Sequence, residues 1–107
     1  MTTTYVPTER AKTLRRFINA HRLWHRKCDE LRDAEKSGDP VRFSKALAAW
    51  EKGRIPSKRA KHHAYDDAAA LARYIAAETG TTLDRANTVD DLAATLEAFN
   101  ALTGGAR

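Results

Sequence analysis

The sequence lacks the features that mark secreted, disulfide-stabilised and membrane-spanning proteins. Cys28 is the only cysteine among 107 residues, which excludes a disulfide within the chain and favours a reducing compartment. The first ten residues contain no apolar signal-peptide core, and no apolar run is long enough to cross a bilayer. We therefore expect a cytoplasmic protein that has no membrane partner.

Catalytic signatures are missing as well. His62 and His63 carry side chains suited to acid–base chemistry, but the sequence places no carboxylate or nucleophile as their partner. We expect a protein that is not an enzyme, that has no catalytic residues and that binds no cofactor.

One set of side chains has the chemistry of metal ligands. His21, His25 and Cys28 recur at i, i+4 and i+7, so one helix face offers three ligands, and zinc would need a fourth from His62, His63 or water. The alternative is packing, because cysteine behaves as a small hydrophobe in a buried stripe and no CxxC pair supports a structural site. We prefer the packing interpretation and predict no metal.

Strand patterns are absent too, since no segment alternates strictly between apolar and polar residues. Helix start and stop signals instead divide the chain into four helical segments. The first runs from Thr8, its expected N-cap, to Lys36 before Gly38; the second opens at Asp39-Pro40 and closes at Gly53; the third runs from about Ser57 to Glu78 before Gly80; the fourth is capped by Thr88. These signals predict an all-α fold.

Apolar residues recur at helical spacing in all four segments. In the first they form an a/d stripe of about three heptads: Leu14, Phe17, His21, Trp24, Cys28 and Leu31, widened by Ile18 and His25. Shorter stripes follow: Phe43, Leu47 and Trp50; Ala64, Ala68, Leu71, Ala72 and Ile75; Val89, Leu92, Leu96 and Phe99. We expect residues 1–107 to form a single helical domain, a compact bundle of about four helices around the long first helix, with 1–7 and 104–107 loose. Trp24 and Trp50 are expected to anchor the core.

The charges are unevenly distributed along the chain. Residues 1–65 hold 16 lysines and arginines against 7 acids, a net charge of +9, whereas residues 66–107 hold 3 against 7, a net charge of −4. A basic half of this kind attracts polyanions, and the acidic remainder is repelled by them.

The positive charges are concentrated in two places. A cationic ridge lies opposite the apolar stripe of the first segment, and a basic corner occupies residues 50–63. The ridge contains Lys12, Arg15, Arg16, Arg22 and Arg26, and the corner contains Lys52, Arg54, Lys58, Arg59 and Lys61. Cations at the start of the third helix oppose its dipole, so another role should favour them there. Contact with phosphate oxygens is the functional explanation, and a solvated connection between two helices is the alternative.

The stretch Leu47–Ser57, LAAWEKGRIPS, resembles the end of the recognition helix and the following loop in lambda-repressor-like helix-turn-helix proteins. The resemblance covers about a tenth of the chain. It implies that Arg42, Ser44 and Lys45, at the start of that helix, approach base edges in the major groove. The chain departs from the family pattern in one respect, because the expected first and second helices form one long segment here.

The function that these features favour is non-enzymatic binding of nucleic acid, expected to be duplex DNA, with regulation of transcription as the specific form. The basic ridge and corner would contact phosphates, and Tyr65 and Tyr74 would either stack on bases or be buried. An alternative is a small protein-interaction module that binds and inhibits, or assembles, a protein partner. The long apolar stripe also predicts a possible homodimer.

Overall fold

The computed structural model describes residues 7–104, and in this range it contains four α-helices and no strand. The helices are α1 (Pro7–Ser37), α2 (Pro40–Lys52), α3 (Lys58–Thr79) and α4 (Val89–Thr103). The predicted all-α class, the four helices and the long first helix are confirmed. The ends that were expected to be loose, 1–7 and 104–107, lie outside the described residues except for Pro7 and Gly104, which begin α1 and cap α4 respectively.

The helix ends follow local chemistry. The Asp39 carboxylate accepts hydrogen bonds from the backbone N–H groups of Val41 and Arg42 at 2.9 and 3.3 Å, and the Ser57 hydroxyl accepts one from Ala60 at 3.1 Å. Gly80 ends α3 with a left-handed φ of 76°, which glycine adopts without steric cost. Thr8 is not the N-cap that was predicted, because α1 begins one residue earlier at Pro7, a position that tolerates the missing proline N–H.

The described chain divides into two compact units. The first, which we call the core unit, consists of residues 7–18 and 57–104 and therefore holds the start of α1 with α3 and α4. The second, the hairpin unit, consists of Asn19–Pro56 and holds the rest of α1 with α2. The expectation that residues 1–107 form a single domain stays a prediction.

The core unit encloses a continuous apolar cluster. Leu14, Leu71 and Leu92, one from each of its helices, have no solvent-exposed surface. The buried members around them are Ala11, Phe17, Ile18, Ala64, Ala68, Ile75, Leu96 and Phe99. The predicted inward faces of α3 and α4 are confirmed, although Ala72 and Val89 are only half-buried. Burial of this cluster is the main source of stability for the unit.

The hairpin unit buries little. Its buried apolar residues are Ala34 and Ala46, whereas His21, Trp24, Cys28 and Leu31 are half-buried and His25 is exposed. The prediction that His25 widens the buried stripe is therefore wrong. Trp24 and Trp50 pack on each other, with ring centroids 5.7 Å apart, but both stay half-exposed and neither is enclosed. A two-helix unit covers each apolar side chain from one side only.

A close approach in the hairpin unit favours glycine at position 53. A Cβ atom at this position would lie 3.0 Å from Cδ of Lys27 and 3.3 Å from Cε3 of Trp24. The absence of a side chain at Gly53 therefore lets the end of α2 contact the Trp24 ring.

Candidate nucleic-acid interface

The eleven cationic residues predicted to contact phosphates are all exposed. Both units contain some of them. Arg15, Arg16, Lys58, Arg59 and Lys61 belong to the core unit, and Arg22, Arg26, Arg42, Lys45, Lys52 and Arg54 belong to the hairpin unit. The predicted ridge of α1 and the predicted corner are thus each divided between the units.

Arg42 is held by an acidic partner. Its Nε and Nη2 atoms donate hydrogen bonds to the two carboxylate oxygens of Glu30 at 3.0 and 3.2 Å. The hydrogen bond from Arg42 lowers the pKa of Glu30, and Glu30 in turn raises the pKa of Arg42. The pair stays ionised at neutral pH, so a phosphate that binds Arg42 has to compete with Glu30.

Most of the other predicted cations have no acidic partner. Arg10, Lys12 and Arg32 also form ion pairs, but none of the three is in the predicted set. Within residues 7–104, the following form no ion pair: Arg15, Arg16, Arg26, Lys45, Lys52, Arg54, Lys58, Arg59 and Lys61. Their charges are therefore not neutralised by acids of the described chain.

An open groove of about 800 Å³ lies in the core unit, lined by α3, the 80–88 loop and α4. We call it the α3 groove. Its lining residues on α3 are Lys58, Lys61, His62, Tyr65, Ala68, Ala69, Ala72 and Arg73; the loop contributes Leu83, Asp84, Arg85, Ala86 and Asn87; α4 contributes Thr95. The α3 residues follow the three- and four-residue spacing of one helix face.

The rim of the α3 groove is cationic. Lys58, Lys61, Arg73 and Arg85 are exposed and form no ion pair with another described residue. Asp84 is the single acidic residue among those that line the groove. The rim therefore carries an excess of positive charge and suits an anionic ligand.

The floor of the α3 groove is mostly apolar. Its half-buried or buried residues include Ala68, Ala72, Leu83, Ala86 and Tyr65. Tyr65 packs against the apolar cluster of the unit yet keeps part of its surface in the groove. Ligand sites commonly combine an apolar lining with a few polar groups, and the cationic rim of this groove suits a ligand that also carries negative charge.

Tyr74, the other tyrosine considered for base stacking, does not line this groove. Its ring contacts Phe99 with centroids 5.9 Å apart, and it packs against the apolar cluster. Tyr74 is half-buried, and packing against the apolar cluster is the role that the structure supports for it.

Local contacts hold the loop that carries Arg85. The Asp91 carboxylate accepts hydrogen bonds from the backbone N–H groups of Asn87 and Thr88 at 2.9 and 3.0 Å, and the Thr88 hydroxyl accepts one from Asp91 at 3.1 Å. These backbone donors lower the pKa of Asp91. The capping box, together with Leu83 and Ala86 packed on the apolar cluster, positions the loop wall of the groove.

Sequence reasoning missed Arg73 and Arg85 because both lie in the acidic part of the chain, where the net charge is negative. A signal did exist for Arg73: it continues the helical spacing of Lys58, Lys61 and Tyr65 along α3. No comparable signal exists for Arg85, because its place beside α3 depends on how the 80–88 loop folds back.

A smaller pocket of about 290 Å³ lies in the hairpin unit. Its lining brings two predicted cations, Lys52 and Arg54, to the side of Trp24, with Lys27 as a third. The remaining lining residues are Ala20, Leu23 and Gly53. This unit thus also presents positive charge beside an aromatic ring.

Arg10 and Asp67 form an ion pair inside the core unit, with Nη1 and Oδ1 3.0 Å apart. Burial raises the pKa of Asp67, and the nearby Arg10 partly offsets this rise. The pair joins α1 to α3 and does not line the α3 groove. We assign it a structural role.

His21 and His25, two of the side chains with the chemistry of metal ligands, lie next to each other on α1. His21 and His25 stack with ring centroids 4.5 Å apart, and within the described range no three His, Cys, Asp or Glu residues are grouped so that they could hold a metal ion.

None of the helices in residues 7–104 has both the length and the apolar character needed to span a membrane.

Comparison with known proteins returns no relative: no family model, no curated protein and no solved structure matches the chain.

Proposed function

We propose that the protein is a non-enzymatic, cytoplasmic nucleic-acid-binding protein that contacts the phosphates of duplex DNA, and that it acts in the regulation of transcription. One observation carries this proposal: the predicted cations are exposed and, in nine of eleven cases, have no acidic partner in residues 7–104. A cation without an acidic partner is free to replace a counterion of DNA, and release of that counterion favours binding.

The helix-turn-helix resemblance adds a specific role for α2 to the proposal. Ser44 and Lys45 are exposed near its start, where a recognition helix contacts base edges. Arg42 would have to exchange Glu30 for a base or a phosphate, so we expect Glu30→Gln to strengthen binding to DNA. A homodimer would present two such helices to two half-sites.

Salt dependence of DNA binding tests the proposal. Fluorescence anisotropy with a labelled duplex, repeated over a series of NaCl concentrations, should show an affinity that falls steeply with salt, by roughly 0.9 in log K per unit of log salt for each phosphate contacted. A wild-type protein with no affinity for duplex DNA at low salt would reject the proposal.

Two variants of equal charge separate local contact from net charge. Arg54→Ala and Arg59→Ala together should weaken binding and reduce the salt slope. The control carries Arg32→Ala and Lys36→Ala, which also removes two positive charges but from residues outside the ridge and the corner; Arg32 is already paired with Asp29. Equal weakening by the two variants would mean that only the net charge matters, and the proposed contacts would be wrong.

The protein-interaction alternative has one observation in its favour. Leu23, Val41 and Ile55 in the hairpin unit are 46%, 63% and 64% exposed, and exposed apolar side chains occur at protein interfaces as well as singly on ordinary surfaces. The alternative is favoured if the wild-type protein does not bind DNA but self-associates or binds another protein. Val41→Ser or Ile55→Ser should then weaken that association.

A further inference from the structure

We propose that the α3 groove binds a short single-stranded segment of nucleic acid, with phosphates at its cationic rim and one base stacked on Tyr65. The inference rests on the proposed function, because it assigns a particular site and a particular form to the nucleic-acid ligand. It adds Arg73 and Arg85, which lie outside the set of cations predicted from the sequence, and it assigns base stacking to Tyr65, for which the sequence left stacking and burial open.

The length of the groove favours a polymer over a single anion. From Lys58 to Arg73 its α3 wall extends about 22 Å at the 1.5 Å rise of an α-helix. Lys58 and Lys61 lie towards one end of this wall, Arg73 lies at the other, and Arg85 belongs to the loop wall. Cations spaced along a groove match the repeated phosphates of a strand, whereas an isolated phosphate needs only one cluster.

The floor favours unpaired bases. Tyr65 comes between Lys61 and Arg73 along the groove and is held by its contacts with the apolar cluster. Ala69 and Ala72 have no side-chain atoms beyond Cβ and so leave space for a base beside the ring. In a duplex the bases are already stacked and paired, whereas a base of a single strand is free to stack on an aromatic side chain.

The polar groups of the loop wall are suited to a base edge. Asn87 and Asp84 line the groove and supply an amide and a carboxylate that can hydrogen-bond to an unpaired base. The Asn87 amide is held by a hydrogen bond that its Nδ2 atom donates to the Arg85 carbonyl oxygen at 3.3 Å, so this group is positioned before a strand binds.

Anisotropy titrations test the inference with three labelled probes: oligo(dT), oligo(rU) and a duplex. Tyr65→Leu keeps an apolar side chain and removes the stacking face, and it should weaken single-strand affinity by about fivefold to a hundredfold with little change for the duplex. Ala69→Leu adds bulk to the groove without changing charge, and it should also weaken single-strand binding selectively. Ala69 is exposed, so this variant should fold.

Arg73→Gln has a matched control in Arg59→Gln. Both remove one exposed positive charge from α3, but Arg59 does not line the groove. Arg73→Gln should weaken single-strand binding more than Arg59→Gln does. Melting curves of each variant verify that it is folded. A preference for oligo(rU) or oligo(dT) would identify RNA or DNA as the strand, and in either case Tyr65 should be required.

The outcomes distinguish the two proposals. If wild-type protein binds the duplex but Tyr65→Leu and Ala69→Leu bind single strands as tightly as wild type, the groove inference is wrong and the proposed function stands. If wild-type protein binds none of the three probes, both are wrong.

Discussion

In the core unit most of the apolar residues that recur at helical spacing are buried, whereas in the hairpin unit the residues of the same pattern are half-buried. Leu14 and Phe17 belong to the α1 stripe and are buried; Trp24 and Leu31 belong to the same stripe and are not. The cause is the number of neighbours. Residues 7–18 pack with α3 and α4 in the core unit, but the later part of α1 shares its unit with α2 alone.

The comparison shows that apolar periodicity predicts which face of a helix turns inward but not how far that face is covered. The hairpin unit depends correspondingly more on aromatic and ionic contacts: the Trp24–Trp50 pair and the pair between Arg42 and Glu30. Both kinds of contact are individually modest when they are partly exposed to water.

The largest effect that we expect separates the two units directly. Leu71→Ala deletes a fully enclosed side chain of the core unit and should lower the free energy of unfolding by about 2–5 kcal/mol. Leu47→Ala makes the same chemical change at a half-buried site of the hairpin unit and should cost clearly less. Urea denaturation followed by circular dichroism measures both. Equal costs would contradict the difference in burial.

Trp24→Ala should have the next largest effect. An enclosed aromatic residue would cost about 3–5 kcal/mol, but Trp24 is half-exposed, so we expect about 2 kcal/mol from lost packing on Trp50 and Gly53. Trp24→Phe keeps a ring and should recover part of the loss. An unchanged melting temperature in Trp24→Ala would mean that the hairpin unit does not depend on the Trp24–Trp50 pair.

Charge reversal at two lysines should change stability in opposite directions. Lys58 begins α3 and Lys52 ends α2, so glutamate favours the helix dipole at position 58 and opposes it at position 52. Lys58→Glu should stabilise by about 0.3–1 kcal/mol and Lys52→Glu should destabilise by a similar amount. Under the proposed function both variants bind DNA more weakly. If Lys58→Glu is more stable than wild type but binds DNA with the same affinity, Lys58 is not part of the interface.

The smallest expected effect is a pH dependence at Asp67. Burial raises the pKa of this carboxyl in the folded protein. The protonated carboxyl therefore makes its full contribution to stability below the unfolded pKa of about 4, and this contribution is lost as the pH rises through the folded pKa. Asp67→Asn keeps an acceptor for Arg10 and cannot ionise. Thermal melts from pH 4 to pH 7 should therefore show wild type losing stability relative to Asp67→Asn as the pH rises. The opposite trend would mean that attraction to Arg10 outweighs the cost of burial.

Several sequence-based predictions differ from the structure. Thr8 proved to lie inside α1 and His25 proved to be exposed. Arg42 kept its predicted exposure but acquired Glu30 as a partner, twelve residues away on another helix. Each change involves either the exact start of a helix or a neighbour distant along the chain, and neither is specified by the residues next to the position.

The sequence by itself determined the four helices and most of their ends, because caps such as Asp39, Ser57, Gly80 and Thr88 act within one helical turn. It also determined the uneven charge and the exposure of the predicted cations, since lysine and arginine side chains stay in water unless they are paired. Only the tertiary structure decided which apolar residues are enclosed, and only it placed Arg73 and Arg85 with Lys58 and Lys61 around one groove. Buried side chains and grooves form where segments that are far apart in the chain come into contact, and this contact depends on packing that the local sequence does not encode.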